Sequence, residues 1–358
     1  MEHNVLLETM CNFMLEVDAS DLHIGVGTSP YMRINGVIKQ TGFPVMEQED
    51  CERLLFSLMT ESQISEFRGT KSLDFAFGFK NLGRFRANIY QQRGTITAAI
   101  RRLKLEIPTF KELSLPIGPL TNFCNTSNGL VIVAGPTGSG KSTTLAAMIN
   151  FINKNRKCHI ISLEDPIEYV HHNINSLVHQ REIGSDAISF SSALRYVLRE
   201  DPDVVLIGEM RDLETIASAL TVAETGHLVL ATLHTGDASE SITRIVDVFS
   251  AEQQVQVIKQ LSFTLAGVIN QMLLPSLDEN MGRVLATEVM IATPAIQNII
   301  RENKVEHMYS QIQLGTQIGM STMNQTLYRL IMERKIDQDI ALGKTTRPNE
   351  LMKMLGRK

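Results

Sequence analysis

The amino-acid sequence predicts an α/β protein of two domains, an N-terminal α+β domain followed by a larger domain built on a parallel sheet. The 358 residues exceed one ordinary core, since domains run to about 150 residues. A proline-bearing stretch at 105–119 separates two regions of different residue pattern and is taken as the linker. Beyond residue 120, short apolar runs alternate with helical patterns, which is typical of strands buried on both faces of a parallel sheet.

The N-terminal domain, residues 1–104, is predicted from changes in apolar periodicity. Its predicted elements are a helix over 5–17, strands over 21–26 and 31–38, a helix over 49–59, and strands over 73–79 and 85–90. The Asn35-Gly36 dipeptide inside the second strand region indicates a hairpin turn.

The second domain, residues 120–358, is predicted from four short apolar runs separated by helical patterns. The runs that predict parallel strands are 130–134, 159–163, 204–207 and 228–232. The pattern from about 261 to 358 predicts a helical C-terminal region.

Composition places the chain among ordinary globular proteins and weighs against two functional classes. A net charge of −5 and the absence of Trp argue against bulk nucleic-acid binding, which uses basic surfaces and aromatic stacking. No apolar run approaches the roughly 18 residues of a membrane span. The first residues also lack the basic and apolar regions of a secretion signal. We therefore expect a cytoplasmic protein.

The segment Gly135-Pro136-Thr137-Gly138-Ser139-Gly140-Lys141-Ser142 matches the phosphate-binding pattern G-x-x-x-x-G-K-[ST], known as Walker A, at every fixed position. A strand pattern precedes it and a helix-prone run follows it, as the motif requires. Its glycines let backbone N–H groups close around phosphates at a helix N-terminus. Lys141 is expected to reach the β- and γ-phosphates, and Ser142 to ligate Mg²⁺. Together with Thr143, the segment is predicted to bind a nucleotide.

Acidic residues follow two of the predicted strands. Glu164 directly follows the run 159–163, and Glu209 follows the run 204–207. The carboxyl ends of parallel strands face the ligand crevice, where carboxylates support Mg²⁺ or polarise an attacking water. We predict catalytic and metal-binding roles for Glu209 and Glu164, with Ser142 as a further metal ligand. The alternative for each acid is a helix cap or a surface ion pair.

Two histidines, His227 and His234, bracket the strand run 228–232. An imidazole at a strand end is suited to sensing the γ-phosphate, so both are predicted to act in catalysis. The alternative is a histidine satisfied within the core.

The strip 84–104 is basic and contains no acidic residue. Its basic residues are Arg84, Arg86, Arg93, Arg101, Arg102 and Lys104. Arg84 and Arg86 lie two apart on a predicted strand and so share a face, which permits a paired phosphate contact. The strip is a candidate source of an arginine finger. The alternative is a solvated strand face.

Together these motifs resemble the secretion-superfamily ATPases of type IV pili, over nearly the whole chain. The segments that carry the resemblance are 19–24, 83–86, the phosphate loop, 164–169 as the Asp box, 208–212 as Walker B, and 226–235 as the His box.

The resemblance implies a homohexamer of subunits with a PAS-like N-terminal domain and a RecA-like ATPase domain, with ATP and Mg²⁺ held between them. It implies a hydrolytic role for Glu209 and phosphate contacts for Arg84, Arg86 and Arg101. It also implies docking on an inner-membrane pilus platform protein, at the cytoplasmic face of that membrane. There the hexamer drives pilin removal and twitching motility.

The segment 295–302 departs from the retraction branch of this family. The signature of that branch is A-I-R-N-L-I-R-E. In this chain Gln297 stands in place of its first arginine and Ile299 in place of its leucine. By helical spacing, Ile296, Ile299 and Ile300 share a face. An accessory retraction ATPase, itself a paralogous partner of the main motor, therefore stays open as an alternative. A RecA-like nucleic-acid motor is the alternative of another class, and the basic strip is its only support.

Overall fold

The structure, a computed structural model, describes residues 2–34, 36–80, 82–103, 106–278 and 282–356. It divides into two units, Met1–Glu106 with Pro166–Tyr169, and Ile107–Asp165 with Val170–Lys358. The predicted roles of Asn35 in a turn and of Lys104 in the basic strip lie outside the described residues.

The first unit is an antiparallel sheet covered by helices. Its elements are α1 (Glu2–Glu16), β1 (Ala19–Ile24), β2 (Tyr31–Ile34), β3 (Val37–Gln40), α2 (Gln48–Phe56), α3 (Glu61–Thr70), β4 (Ser72–Phe79), β5 (Gly83–Gln92) and β6 (Thr95–Arg102). The strand order is β3-β2-β1-β6-β5-β4. Each predicted helix and strand is present, and α3 and β6 are additions that the periodicity did not indicate.

Burial alternates along β5 as the sequence predicted. Phe85, Ala87 and Ile89 are fully buried and belong to the unit's apolar core. Arg84 and Arg86 therefore share the opposite face of the strand.

The second unit is built on a seven-stranded, mostly parallel sheet. Its strands are β7 (Gly129–Ala134), β8 (His159–Glu164), β9 (Leu177–Glu182), β10 (Val204–Ile207), β11 (Leu228–Leu233), β12 (Leu265–Pro275) and β13 (Arg283–Ile291). Its helices are α4 (Ile117–Asn125), α5 (Lys141–Asn155), α6 (Phe190–Val197), α7 (Leu213–Glu224), α8 (Ala238–Asp247), α9 (Ala251–Thr264), α10 (Pro294–Arg301), α11 (Met308–Leu314), α12 (Met323–Met332), α13 (Gln338–Lys344) and α14 (Pro348–Met354).

The sheet brings the carboxyl ends of its central strands to one edge. The order is β13-β12-β7-β11-β10-β8-β9, with only β13 antiparallel to its neighbour. Strands β7, β10 and β11 are buried along their whole length, which confirms the prediction of two covered faces.

The predicted helical region over 261–358 is wrong in its first third, because β12 and β13 lie within it. The run from Leu265 is rich in Leu and Met, which favour helices, and has few β-branched residues. Pairing with β7 overrides that propensity. A β-carbon at Gly267 would lie 2.2 Å from the ring of Phe123, so glycine is required where α4 crosses this strand.

The C-terminal helices pack on the β12–β13 pair and on each other. Leu274, Val284, Leu327 and Leu351 form part of one apolar cluster. Helix α10, which carries the altered retraction signature, buries two isoleucines of its predicted apolar face in the larger core, as expected from their spacing. No helix among the described residues is long and apolar enough to cross a membrane.

Candidate active site

The phosphate loop forms the turn between β7 and α5. Gly135, Gly138 and Gly140 have φ values of 142°, 77° and 91°, in the region that only glycine adopts without strain. A β-carbon at Gly135 would lie 2.2 Å from the carbonyl oxygen of Gln271 on β12. The loop is therefore packed tightly against the neighbouring strand, and a glycine is needed at position 135 for that approach.

Lys141 begins α5 and is buried within the loop. Its Nζ donates hydrogen bonds to the carbonyl oxygens of Gly135 at 2.8 Å and Pro136 at 3.1 Å. Ser142 is exposed and Thr143 half-buried in the same first helical turn. A cation, a hydroxyl and the helix N-terminus thus meet at one point, which favours an anion.

Gln271 supports the loop from β12. Its Nε2 donates to the carbonyl oxygen of Ser139 at 2.8 Å, and its Oε1 accepts from the hydroxyl of Thr144 at 2.9 Å. The amide is 1% exposed, so it joins the top of the loop to the start of α5 within the protein interior.

Glu209 lies just beyond the end of β10, beside Arg211 and His234. One carboxylate oxygen is 2.7 Å from the guanidinium of Arg211, and the other is 3.3 Å from Nε2 of His234, which follows β11. The structure therefore brings together an acid and a histidine that the sequence placed at two different strand ends.

The environment of Glu209 keeps its carboxylate ionised. Burial raises the pKa of Glu209, but the hydrogen bond from Arg211 and the charges of His234, Arg211 and Lys141 outweigh that effect. The net result is a pKa below the ordinary glutamate value. At neutral pH this group accepts hydrogen bonds and holds cations.

Glu164 ends β8 on the same edge. Its Oε1 accepts hydrogen bonds from the hydroxyl of Ser162 at 2.6 Å and from Nε2 of Gln180 at 3.0 Å. In the β8–β10 register Leu163 lies opposite Ile207, so Glu164 is a neighbour of the segment that carries Glu209.

The two histidines bracket β11 as expected, but His227 does not lie at this edge, so its position gives no support to its predicted catalytic role. It precedes β11, where its Nδ1 contacts the carbonyl oxygen of Val222 and the hydroxyl of Thr225, each at 3.1 Å. The six residues of β11 separate His227 from His234. At about 3.3 Å per residue this strand is roughly 20 Å long. A residue before a parallel strand belongs to the opposite edge from a residue after it.

Two of the predicted arginines, Arg86 and Arg101, are already paired with carboxylates within the first unit. Arg86 forms a two-pronged contact with Asp74, at 2.6 to 3.1 Å, and Arg101 donates to Asp21 at 2.8 Å. Arg86 lies directly opposite Arg101 in the β5–β6 register. The Arg86–Asp74 pair is exposed, and exposed ion pairs contribute at most about 1 kcal/mol, so the guanidinium group of Arg86 can exchange partners. The carboxylate that Arg101 contacts, Asp21, is buried.

A cavity of about 350 Å³ opens beside the phosphate loop. Its wall includes Pro136, the segment after β11, the end of β12, Glu288 of β13 and Arg347, which precedes α14. Sequence reasoning missed Gln271 and Glu288, which lie more than 100 residues from the loop in the chain. Their one signal is a polar residue inside an otherwise apolar strand pattern.

The chain matches one protein family along almost its whole length. The model of the family described as "Type II/IV secretion system protein" covers residues 4–350. Two curated relatives from Pseudomonas aeruginosa are also similar over most of their length. The type IV pilus retraction ATPase PilT is 44% identical over 336 residues, which cover 94% of this chain and 97% of that protein. The type IV pilus ATPase PilU is 39% identical over 348 residues, with coverage of 97% and 91%.

A solved structure shares the fold. The crystal structure of the pilus retraction motor PilT with bound ADP superposes with a TM-score of 0.90 at 48% identity, and the match covers 96% of this chain and 98% of that one.

Proposed function

The chain belongs to the type II/IV secretion system protein family, and from that premise we propose that it is a motor ATPase that powers the retraction of type IV pili. It is an ATP hydrolase of the P-loop class. The observation that carries the proposal is the complete phosphate loop with the Glu209–His234 contact beside it, in a chain that is similar to a retraction ATPase over 94% of its length.

We propose that residues 1–104 form a PAS-like domain and residues 120–358 a RecA-like ATPase domain. The antiparallel sheet with its covering helices supports the first assignment. The phosphate loop after β7, with β11 and β12 on either side of that strand, supports the second.

Within this site Glu209 is proposed to orient the attacking water and accept its proton. Its lowered pKa keeps the carboxylate ionised, and His234 holds one of its oxygens from the neighbouring strand end. Lys141 now bonds to two loop carbonyls. Phosphate oxygens are stronger partners for an ammonium group, so Lys141 is proposed to exchange those carbonyls for the β- and γ-phosphates.

The donor set also fits Mg²⁺. The exposed hydroxyl of Ser142 and the carboxylates of Glu164 and Glu209 are hard oxygen ligands, and Mg²⁺ in such sites uses one or two carboxylates plus phosphate oxygens. When bound, the ion neutralises charge on the phosphates. Ser162 and Gln180 hold Glu164 in place for this role.

Arg84, Arg86 and Arg101 are proposed to contact phosphates. Their support is the shared sheet face and the exposed, exchangeable ion pair that Arg86 makes with Asp74. His227 has no such support, since it lies at the far edge of the sheet.

We further propose a homohexamer in the cytoplasm that acts at the cytoplasmic face of the inner membrane. Its partners would be an inner-membrane pilus platform protein and a paralogous retraction ATPase. A second candidate function, accessory retraction ATPase, is favoured by one observation: Gln297 replaces the first arginine of the retraction signature on α10.

Deleting the gene and scoring surface pili and twitching tests the proposed function. Loss of retraction is expected to leave cells with excess pili that do not twitch. Retraction that is lost only under load would instead assign the accessory role. Cells without pili would contradict both, because they would show that the chain drives assembly.

Gln271→Leu is expected to weaken ADP binding about tenfold, because it leaves the buried carbonyl of Ser139 without its donor. Gln271→Glu has the same shape but sets a carboxylate oxygen against that carbonyl, so it should weaken binding further. Titration calorimetry with ADP measures both, and Gln313→Leu on the exposed face of α11 is the control. Wild-type affinity in both Gln271 variants would show that β12 does not set the shape of the loop.

A further inference from the structure

Glu288 is a buried carboxyl group that joins two helix N-termini. It lies on β13 in the wall of the cavity and is 2% exposed. One oxygen accepts the backbone N–H of Ala238 at 2.9 Å, and the other accepts that of Met323 at 3.3 Å. These are the first residues of α8 and α12, so one side chain links the segment after β11 to the C-terminal helices.

The segment 234–238 is held at both ends. At its start His234 contacts Glu209, and at its end Ala238 donates to Glu288. Between them, the Asn270 amide donates to the carbonyl oxygen of Thr235 at 2.8 Å. Asn270 and Glu288 are direct partners in the β12–β13 register, so adjacent side chains on one sheet face fix this segment.

Helix α12, the second helix that Glu288 contacts, is held by further hydrogen bonds. The hydroxyl of Thr326 on α12 donates to the carbonyl oxygen of Thr287 at 2.7 Å. The Asn324 amide donates to the carbonyl oxygen of Arg347 at 3.0 Å. Helix α12 is thereby tied both to β13 and to the loop that faces the phosphate loop across the cavity.

Stability alone does not account for a carboxyl group at this position. Burial raises the pKa of Glu288 to about 7, against the opposing effect of the Ala238 and Met323 N–H groups and Arg347, while Asp237 adds to the rise. Ionising such a group costs free energy, and apolar packing holds two helices together without that cost. A carboxyl group that accepts an N–H from each helix instead fixes the position of one helix N-terminus relative to the other.

We propose that Glu288 is a positioning residue. Through its hydrogen bonds to Ala238 and Met323, it makes the contact between His234 and Glu209 depend on the position of α12. This inference rests on the proposed role of His234. It makes ATP turnover depend on where the C-terminal helices lie, so that a displacement of α12 changes the catalytic contact without any change in the phosphate loop.

Glu288→Gln tests the proposal, because the amide keeps the shape of the side chain but has one accepting oxygen instead of two. At pH 8, where Glu288 is mostly ionised, we expect kcat for ATP to fall about tenfold, a typical scale for coupling between sites. The Kd for ADP should stay within about threefold of wild type. Glu224→Gln is the control, since Glu224 accepts from Gln260 and joins α7 to α9 away from the site. A fall in affinity equal to the fall in kcat would overturn the proposal.

A double-mutant cycle with His234→Ala shows whether Glu288 acts through His234. The proposal predicts that adding Glu288→Gln to His234→Ala lowers kcat by less than about twofold further. Independent, multiplicative losses would overturn the role of Glu288 and leave that of His234 standing. If His234→Ala alone keeps wild-type turnover, both roles fall.

If Glu288→Gln does not fold, Met323→Pro replaces it. This change removes the N–H that Glu288 accepts, at the first position of a helix, where proline is tolerated. The residue before it has ψ of 159°, which suits a following proline. Unchanged kcat in a folded Met323→Pro protein would contradict the proposed link to α12.

Discussion

Glu209→Gln is expected to abolish ATP turnover while ATP binding stays close to wild type. The amide has the size of the carboxylate and keeps an oxygen for Arg211, but it cannot accept a proton from water at neutral pH. Loss of a positioned general base costs roughly 10² to 10⁴ in rate. Because Glu209 has a lowered pKa, its carboxylate is present across the neutral range, and the loss should appear at every pH from 6 to 9.

A phosphate-release assay measures this turnover, and calorimetry with a non-hydrolysable ATP analogue measures binding. Glu214→Gln is the matched control, since Glu214 is an exposed acid on α7 that also pairs with an arginine, Arg195. It should keep wild-type turnover. Turnover within about threefold of wild type in Glu209→Gln would remove Glu209 from catalysis.

Lys141→Ala is expected to lower ATP turnover by at least about 100-fold, the scale for loss of one preorganised donor at developing charge. Unlike the change at Glu209, it should also weaken nucleotide binding, because the ammonium group would contact the phosphates in the ground state. The protein should stay folded, since Lys141 lies in the first turn of α5 and its Nζ donates to carbonyl oxygens of its own loop.

Lys154→Ala, an exposed lysine at the far end of the same helix, is the control for the loss of a positive charge. Thermal unfolding should place both lysine variants near wild type. Unchanged turnover in a folded Lys141→Ala protein would show that the loop is not the site of hydrolysis.

The local sequence pattern was sufficient to predict strands wherever the apolar periodicity agrees with how the strands pair in the sheet. The strands β7, β8, β10 and β11 were predicted because each is a short apolar run buried on both faces. Strand β12 was missed because its Leu-rich sequence has few β-branched residues and favours a helix, and β13 was missed with it although four of its nine residues are β-branched. Strand β12 pairs with β7, which lies more than 100 residues earlier in the chain, and β13 pairs in turn with β12.

The candidate site also contains residues that the sequence predicts and residues that it does not. The phosphate loop is specified by a contiguous motif, and Glu209 and His234 by the rule that parallel strands end at one edge. The same rule, applied with strand direction, excludes His227 from that edge. Gln271 and Glu288 were not predicted, because a single polar residue in a strand does not indicate what it contacts until the sheet order is known.

Retraction of individual pili in a deletion strain, restored with either the wild-type gene or Glu209→Gln at matched protein levels, tests the central claim most directly. If ATP hydrolysis at this site drives retraction, the wild-type gene restores retracting pili. The variant should leave pili extended and static. Normal retraction with Glu209→Gln would contradict the account.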